Sequence, residues 1–329
     1  MSAPVEYAVV VPTIGRVCLA DCLRALAVSS GPRPAEVVVV DDRPVADGAL
    51  PLGPVGALPV RVLATGGRGP AAARNAGARA VGAPWVVFLD DDVQVLPDWA
   101  ERLAEDLAEA DDRTGGVQGR LTVPLPDDRR PTDWERGTAG LEAAAWATAD
   151  MAYRATALKE AGGFDERFPR AFREDADLAL RVRGAGWSLR RGRRVTRHPV
   201  RPSGRWASVR AQRGNADDVL MNRLHGRDWW ARAEAPRGRL PGHLATTGLA
   251  CVTVLAAVAG RRKGAALAAA LWTAATAEFA WARIAPGPRT RQEVVTMVAT
   301  SVAIPPVAVR HWLGGQIRHR GVRPPGGNR

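Results

Sequence analysis

What most limits the fold of this chain is a rhythm in its first hundred residues. Short unbroken apolar runs, each followed by polar residues, alternate with stretches of helical spacing. Tyr7–Val11, Val37–Val40, Val60–Leu63 and Trp85–Leu89 are the apolar runs. A strand with apolar residues at consecutive positions is covered on both faces. Between them, Val17–Ser29 carries Leu19, Leu23 and Leu26 at helical intervals, and Pro70–Val81 is rich in Ala. Pro97–Ala110 opens with Pro in its first turn, where the missing N–H is no loss. Strands alternating with helices imply an α/β fold with a mostly parallel, Rossmann-like sheet and helices on both faces. Ligands of such sheets sit beyond the carboxyl ends of the strands. Asp41-Asp42 and Asp90-Asp91-Asp92 fall at those ends. Topology alone makes them the first candidates for a site.

Further along, Gly119–Arg136 is rich in Pro, Asp and Arg and is expected to be irregular. Thr148–Tyr153 is expected as a short strand, Ala155–Ala161 and Glu174–Gly184 as helices. Trp187–Arg191 and Val195–His198 are expected as two short strands, and Trp206–Leu224 as a polar helix bearing Arg210, Arg213 and Arg223. After about Pro241 the composition shifts to three Ala/Val-rich runs, Leu244–Gly260, Gly264–Ala282 and Val294–Val309. The expected organisation is therefore a catalytic domain over 1–230, a helical apolar region over 231–315 and a basic disordered tail over 316–329.

The acidic triplet carries the sharpest chemistry. Adjacent carboxylates repel in a folded site unless a cation joins them. Residues i and i+2 leaving a strand point the same way, so Asp90 and Asp92 are placed to share one ion. All-oxygen donors select hard ions such as Mg²⁺ or Mn²⁺. The alternative is a solvated acidic turn, which the preceding strand Trp85–Leu89 disfavours. Glu174-Asp175 form a second pair at the start of a helix, where the dipole stabilises anions. Gly66-Gly67-Arg68-Gly69 lacks the Gly-Lys-Ser/Thr of a phosphate loop and is expected as flexible entry to the next helix. Cys18, Cys22 and Cys251 form no disulfide framework, and the first two are expected as small core hydrophobes.

Several segments, in order, resemble the large inverting glycosyltransferase family 2 with the GT-A fold. They are Val9–Thr13, Val37–Asp42, Gly69–Gly77, Phe88–Asp92, Ala149–Arg154, Gly162–Asp165 and Arg173–Leu178, together covering roughly residues 5–200. The resemblance implies transfer of a sugar from a nucleotide-sugar donor to an acceptor hydroxyl. It implies donor contacts at Pro12, Thr13, Asp41, Asp42, Arg74, Asn75 and Asp90. It implies a metal site at Asp90 and Asp92, completed by His198, and acceptor contacts at Asp150 and Met151, while Trp187 is expected either to pack as core or to wall the acceptor pocket. Asp150 stands where many members carry Asn. Asp175 is implied as the general base, with Glu174 as its neighbour. The Gln-x-x-Arg-Trp motif of processive members is not found, which favours a single transfer.

Two other functions fit parts of the pattern. A sugar-phosphate nucleotidyltransferase would show a Gly-rich loop after the first strand, and Pro12–Arg16 has only Gly15. A non-catalytic, membrane-bound transferase-like module would not need Asp90, Asp92 and Asp175. The net charge of +12 comes almost wholly from Arg, with Lys only at Lys159 and Lys263. It suits diphosphates or an anionic membrane better than nucleic acid, which is not an expected partner. No apolar leader precedes Tyr7, so a cytoplasmic catalytic domain at the inner face of the membrane is expected, with a glycan or lipid-linked acceptor of the cell envelope. The apolar runs approach the length of a span, but Glu278 and Pro305-Pro306 interrupt them. A simple hairpin would also put Arg261-Arg262-Lys263 outside, so shallow or re-entrant helices are expected.

Overall fold

The computed structural model describes residues 5–323. By internal contacts the chain forms two units. One holds the chain up to Pro124, Ala139–Val200 and Arg232–Ala235. The other holds Leu125–Thr138, Arg201–Ala231 and the chain from Pro236 onward. The segment Arg201–Ala231, expected with the catalytic domain, therefore has its contacts in the second unit.

The first unit is built on eight strands: β1 (Tyr7–Thr13), β2 (Glu36–Asp41), β3 (Val60–Ala64), β4 (Trp85–Leu89), β5 (Gln94–Val95), β6 (Thr114–Thr122), β7 (Asp150–Arg154) and β8 (Ser188–Arg197). Their order is β3-β2-β1-β4-β7-β6-β8-β5. The half from β3 to β4 is parallel, as the rhythm of apolar runs requires. The other half is mixed, because β7 runs antiparallel to both β4 and β6 while β8 is parallel to β6. Helices α1 (Leu19–Val28), α2 (Pro70–Ala80), α3 (Trp99–Ala108), α5 (Ala155–Glu160) and α6 (Glu174–Gly184) belong to this unit, and α4 (Asp133–Ala139) lies mostly in the other.

Successive residues of β1 feed opposite cores. Val9 and Val11 pack with Leu19, Leu23, Trp99 and Leu103, whereas Val10 packs with Ala73, Phe88, Leu178 and Val182. The two-sided burial expected of a continuous apolar strand is thus met by helices on both faces. Gly77 lets α2 approach closely, since a Cβ there would strike Val10 and Val40.

Two expectations are corrected. The first residues of the Gly119–Arg136 stretch are not irregular: they complete β6. Its sequence, Thr-Gly-Gly-Val-Gln-Gly-Arg-Leu-Thr, has no β-branched alternation to announce a strand. Its glycines are there because Trp187, Met151 and Asp150 leave no room for side chains at Gly115, Gly116 and Gly119. The two short strands expected over Trp187–His198 are one strand, β8, with register shifts against β6.

The second unit is helical. The expected polar helix Trp206–Leu224 is α7 (Ala207–Arg210), a 3-10 turn at Ala211–Arg213 and α8 (Gly214–His225). Val219, Leu220, Met221 and Leu224 bury one side of α8, so it is not a solvated rod. After α9 (Trp229–Arg232) come α10 (Leu240–Val258), α11 (Arg262–Ile284) and α12 (Arg291–Arg318). Helix α12 runs through Pro305-Pro306 instead of stopping there, and Gln316–Arg318, expected as the start of the tail, are its last turn. Residues 324–329 of that tail lie outside the described residues.

Candidate active site

The site gathers at the carboxyl ends of β1, β2 and β4, with contributions from α2, α6 and the end of β8. The triplet after β4 divides its work. Asp91 turns inward, is 1% exposed, and accepts hydrogen bonds from Thr13 Oγ1 at 2.6 Å and Arg16 Nη1 at 2.7 Å. Asp90 and Asp92 face a common space with His198. One ligand atom from each of the three lies within 4.8 Å of the others. His198 Nε2 is 3.7 Å from Asp92 Oδ1. It arrives there because β5, just after the triplet, pairs with the end of β8, Gln94 opposite Arg197. The His198 backbone N–H donates to Thr122 O, which fixes it further. The donor set fits a divalent ion on the border between hard and soft, two carboxylate oxygens and one imidazole nitrogen. His198 Nε2 faces Asp92, and Nδ1 is buried without a hydrogen-bond partner among the described residues.

Arg74 is the link between the two acidic pairs. It is 2% exposed, donating from Nη2 to Asp90 Oδ1 and from Nη1 to Glu174 Oε1, both at 2.8 Å. Glu174 is equally buried, and its Oε2 has no partner. Burial, together with the charge of Asp175, pushes the Glu174 carboxyl up to about 8. Asp175 is half-buried, its Oδ1 taken by the Ala176 N–H at 2.7 Å. Burial raises its pKa as well, against the pull of that N–H and of Arg74. The pair opens α6 after Arg173, which is held at φ 77° as the residue before the helix.

The other residues expected at the site are placed as follows. Pro12 is half-buried near the end of β1, and Thr13 Oγ1 also accepts from the Gly15 N–H. Asp41 is gripped by Arg43, whose guanidinium holds its carboxyl below the usual carboxylate range. Asp42 accepts from Thr65 Oγ1, Arg68 N and Gly69 N, so it ties down the glycine turn before α2. Gly66, Gly67 and Gly69 in that turn all have positive φ, a conformation that favours glycine. Cys22 is core as expected, while Cys18 is only half-buried.

Four expected contacts are not brought to the cluster. Asn75 uses its amide on the Phe164 backbone, donating to its O and accepting from its N–H. Asp150 is 0% exposed. It accepts from Arg194 Nε, Trp99 Nε1 and Thr196 Oγ1, leaving no oxygen for an acceptor. Met151 is core beneath Gly116. Trp187 donates to Glu160 at the start of β8, and the ten-residue strand sets it roughly 30 Å from His198. Sequence reasoning missed Asp91 and Arg16 as the braces of the triplet. The only signal was that three carboxylates cannot all face one ion.

The sheet, parallel in one half and mixed in the other with helices on both faces, is an α/β fold of the GT-A type. Residues 8–156 match the family described as Glycosyl transferase family 2. Among solved structures, the mannosyltransferase PcManGT from Pyrobaculum calidifontis, in complex with GDP-Man and Mn²⁺, is similar at TM-score 0.53 and 22% identity. The match covers 94% of this chain and 89% of that one. TarS of S. aureus is matched at TM-score 0.42 and 18% identity over 68% of this chain, which spans 41% of TarS. Its fragment 1–349 in complex with UDP-GlcNAc is matched at TM-score 0.48 and 14% identity, over 97% of this chain and 92% of that one. No curated protein matches.

Proposed function

We propose that this protein is an inverting, metal-dependent glycosyltransferase. It moves a single sugar from a nucleotide-diphosphate sugar to an acceptor hydroxyl, on a glycan or lipid-linked acceptor of the cell envelope, at the cytoplasmic face of the membrane. The observation that carries this reading is Arg74, which joins a candidate metal ligand to the acidic pair at the start of α6. Asp90, Asp92 and His198 would hold Mg²⁺ or Mn²⁺. When bound, that ion neutralises the departing diphosphate. Thr13, Asp41 and Asp42 line the nucleoside end by their place after β1 and β2.

Asp175 serves as the base because, of its pair, it is the one not sealed from solvent. Its raised proton affinity suits the task, since a base works best with a pKa near the working pH. The acceptor oxygen forms a bond to the anomeric carbon as the bond from that carbon to the diphosphate breaks. The acceptor proton passes to Asp175, and attack opposite the leaving group inverts the configuration. Glu174, neutral or paired with Arg74, keeps the base in place.

The test is release of nucleoside diphosphate from a panel of UDP-, GDP- and dTDP-sugars, with and without Mn²⁺, beside Asp92→Asn and Asp175→Asn. Metal-dependent release lost in both variants is the expected result. Failure of the folded protein to bind any donor would overturn the proposal. Pyrophosphate as the product would favour the nucleotidyltransferase instead.

A further inference from the structure

Three helices of the second unit are long and apolar enough to cross a membrane: α10, α11 and α12. By composition they are alike, with mean hydropathy of 1.4, 1.2 and 1.4 over their apolar windows. Their surroundings are not alike. In α10 and α11 only 11% of that window is buried, in α12 33%.

Helix α12 has polar neighbours at two separated places. Near its start, Thr300 and Ser301 receive the buried guanidinium of Arg283, which also binds Asp133 and Ser208. Near its end, Gly315 lies so close to Ala216 and Val219 of α8 that a Cβ would strike the α8 backbone. Gln316 accepts from Arg223. Thr300 to Gln316 spans about 24 Å of helix. Placing that length in hydrocarbon would carry α8 with it, including buried Asp217 and half-buried Arg223, at roughly 2.5–3.5 kcal/mol per charge.

The other two helices are barer, with their few buried residues gathered mostly at one end. Buried residues on α10 are His243 and Thr246, near its start. On α11 four of five, Thr276 to Ile284, are near its end. The distal half of the pair exposes Val252, Val254, Leu255, Val258, Leu267 and Leu271. No charged residue occurs in 244–260 or 264–277. Thr253 and Thr273 donate their hydroxyls to the carbonyls of Leu249 and Ala269 one turn back, which hides them from an apolar solvent. Nineteen residues of α10 rise about 28 Å, close to the roughly 30 Å of a bilayer core.

Both ends carry the chemistry of an interface. At the base, Arg239 pairs with Glu278 and lies over Phe279, while Arg289 lies over exposed Trp281. At the tip stand Arg261, Arg262 and Lys263. The tip cations no longer argue against crossing. The base side holds Arg237, Arg239, Arg289 and Arg291, and the arginines of α12 as well, so the positive excess stays on the near side.

We infer that α10 and α11 form a hairpin that crosses the lipid bilayer, with Arg261–Lys263 at the far headgroups, while α12 remains on the near side. This deepens the membrane reading above and rests on it. It replaces the shallow insertion expected from sequence. The chain before Leu240 and the chain after Ile284 then share one face of the membrane.

The test uses the full-length chain with its cysteines removed (Cys18→Ser, Cys22→Ala, Cys251→Ala) and either Lys263→Cys or Arg320→Cys added. Both must keep donor binding. Intact spheroplasts are treated with a membrane-impermeant maleimide before and after lysis. The expected result is labelling of Lys263→Cys before lysis and of Arg320→Cys only after it, a difference of at least tenfold. Labelling of Arg320→Cys before lysis means that α12 crosses too, and overturns the inference. Protection of both positions, in protein that resists alkaline carbonate, means a hairpin that does not cross. That also overturns the inference but leaves membrane association standing. Recovery of the protein as a soluble monomer or dimer overturns both.

Discussion

Two groups of buried charge in the first unit look alike in sequence and differ in what surrounds them. Around Asp150, Arg194 and Asp106 the polar atoms are matched. Asp150 accepts three side-chain donors, and Asp106 accepts the N–H groups of Arg193 and Arg194 where β8 shifts register. Around Arg74, Glu174 and His198 the matching fails, with Glu174 Oε2, Arg74 Nε and His198 Nδ1 left without partners. A buried polar group without a partner is unfavourable by roughly 1–3 kcal/mol, more if charged. The first arrangement is fully matched within the chain, and the second leaves hydrogen-bonding capacity unused beside the Asp90, Asp92 and His198 cluster.

The largest separation is expected between Asp175→Asn and Asp150→Leu. Loss of the base should lower turnover by about 10²–10⁴-fold with the melting temperature little changed. Asp150→Leu removes the 2.8 Å carboxylate partner of buried Arg194, leaving it Asp106, and takes the acceptor from Trp99 and Thr196, so it should destabilise the fold by roughly 3–5 kcal/mol in urea unfolding. Adding Arg194→Met should recover part of that loss. A stable Asp150→Leu with altered acceptor preference would return Asp150 to the acceptor site.

A smaller effect is expected from His198→Ala. Its Mn²⁺ dissociation constant should rise by at least roughly tenfold, the scale on which even outer partners of a metal act. Unchanged affinity by calorimetry would leave only the two carboxylates as ligands.

Smaller again is a pH effect on stability. Glu174 is raised from 4.5 to about 8 in the folded chain, so the folded state holds the extra proton between those values. Its stabilising contribution is full below about 4.5 and is lost as pH rises through about 8. Melting temperatures should therefore fall with pH across that window in the wild type, and fall less in Glu174→Gln. Parallel slopes would show that Glu174 is ionised throughout. The least effect belongs to Trp187→Ala, which at the far end of β8 should leave donor affinity and turnover within about twofold.

Much of this was legible in the sequence because it depended on local pattern. The parallel half of the sheet follows from four apolar runs whose neighbours along the chain are helices. Asp90 and Asp92, two positions apart, come together with His198 across the turn that follows β4. The start of α6 at Glu174 was equally plain. What escaped were residues whose roles depend on distant partners. Strand β6 is glycine-rich because of Trp187, Met151 and Asp150, which the sequence does not place beside it. Asp150, Met151 and Asn75 sit in segments that resemble a site, and only packing shows their side chains turned to the core.

By itself, the sequence determined the α/β class, the strand ends that bear the carboxylates and the apolar character of three C-terminal helices. Each depends on residues a few positions apart. Tertiary structure alone decided that Asp91 braces while its neighbours face His198, that Arg74 joins residues 16 and 100 positions away, and that a larger share of α12 than of α10 or α11 is covered. Hydrophobic periodicity records which face of an element is buried, but not which partner buries it.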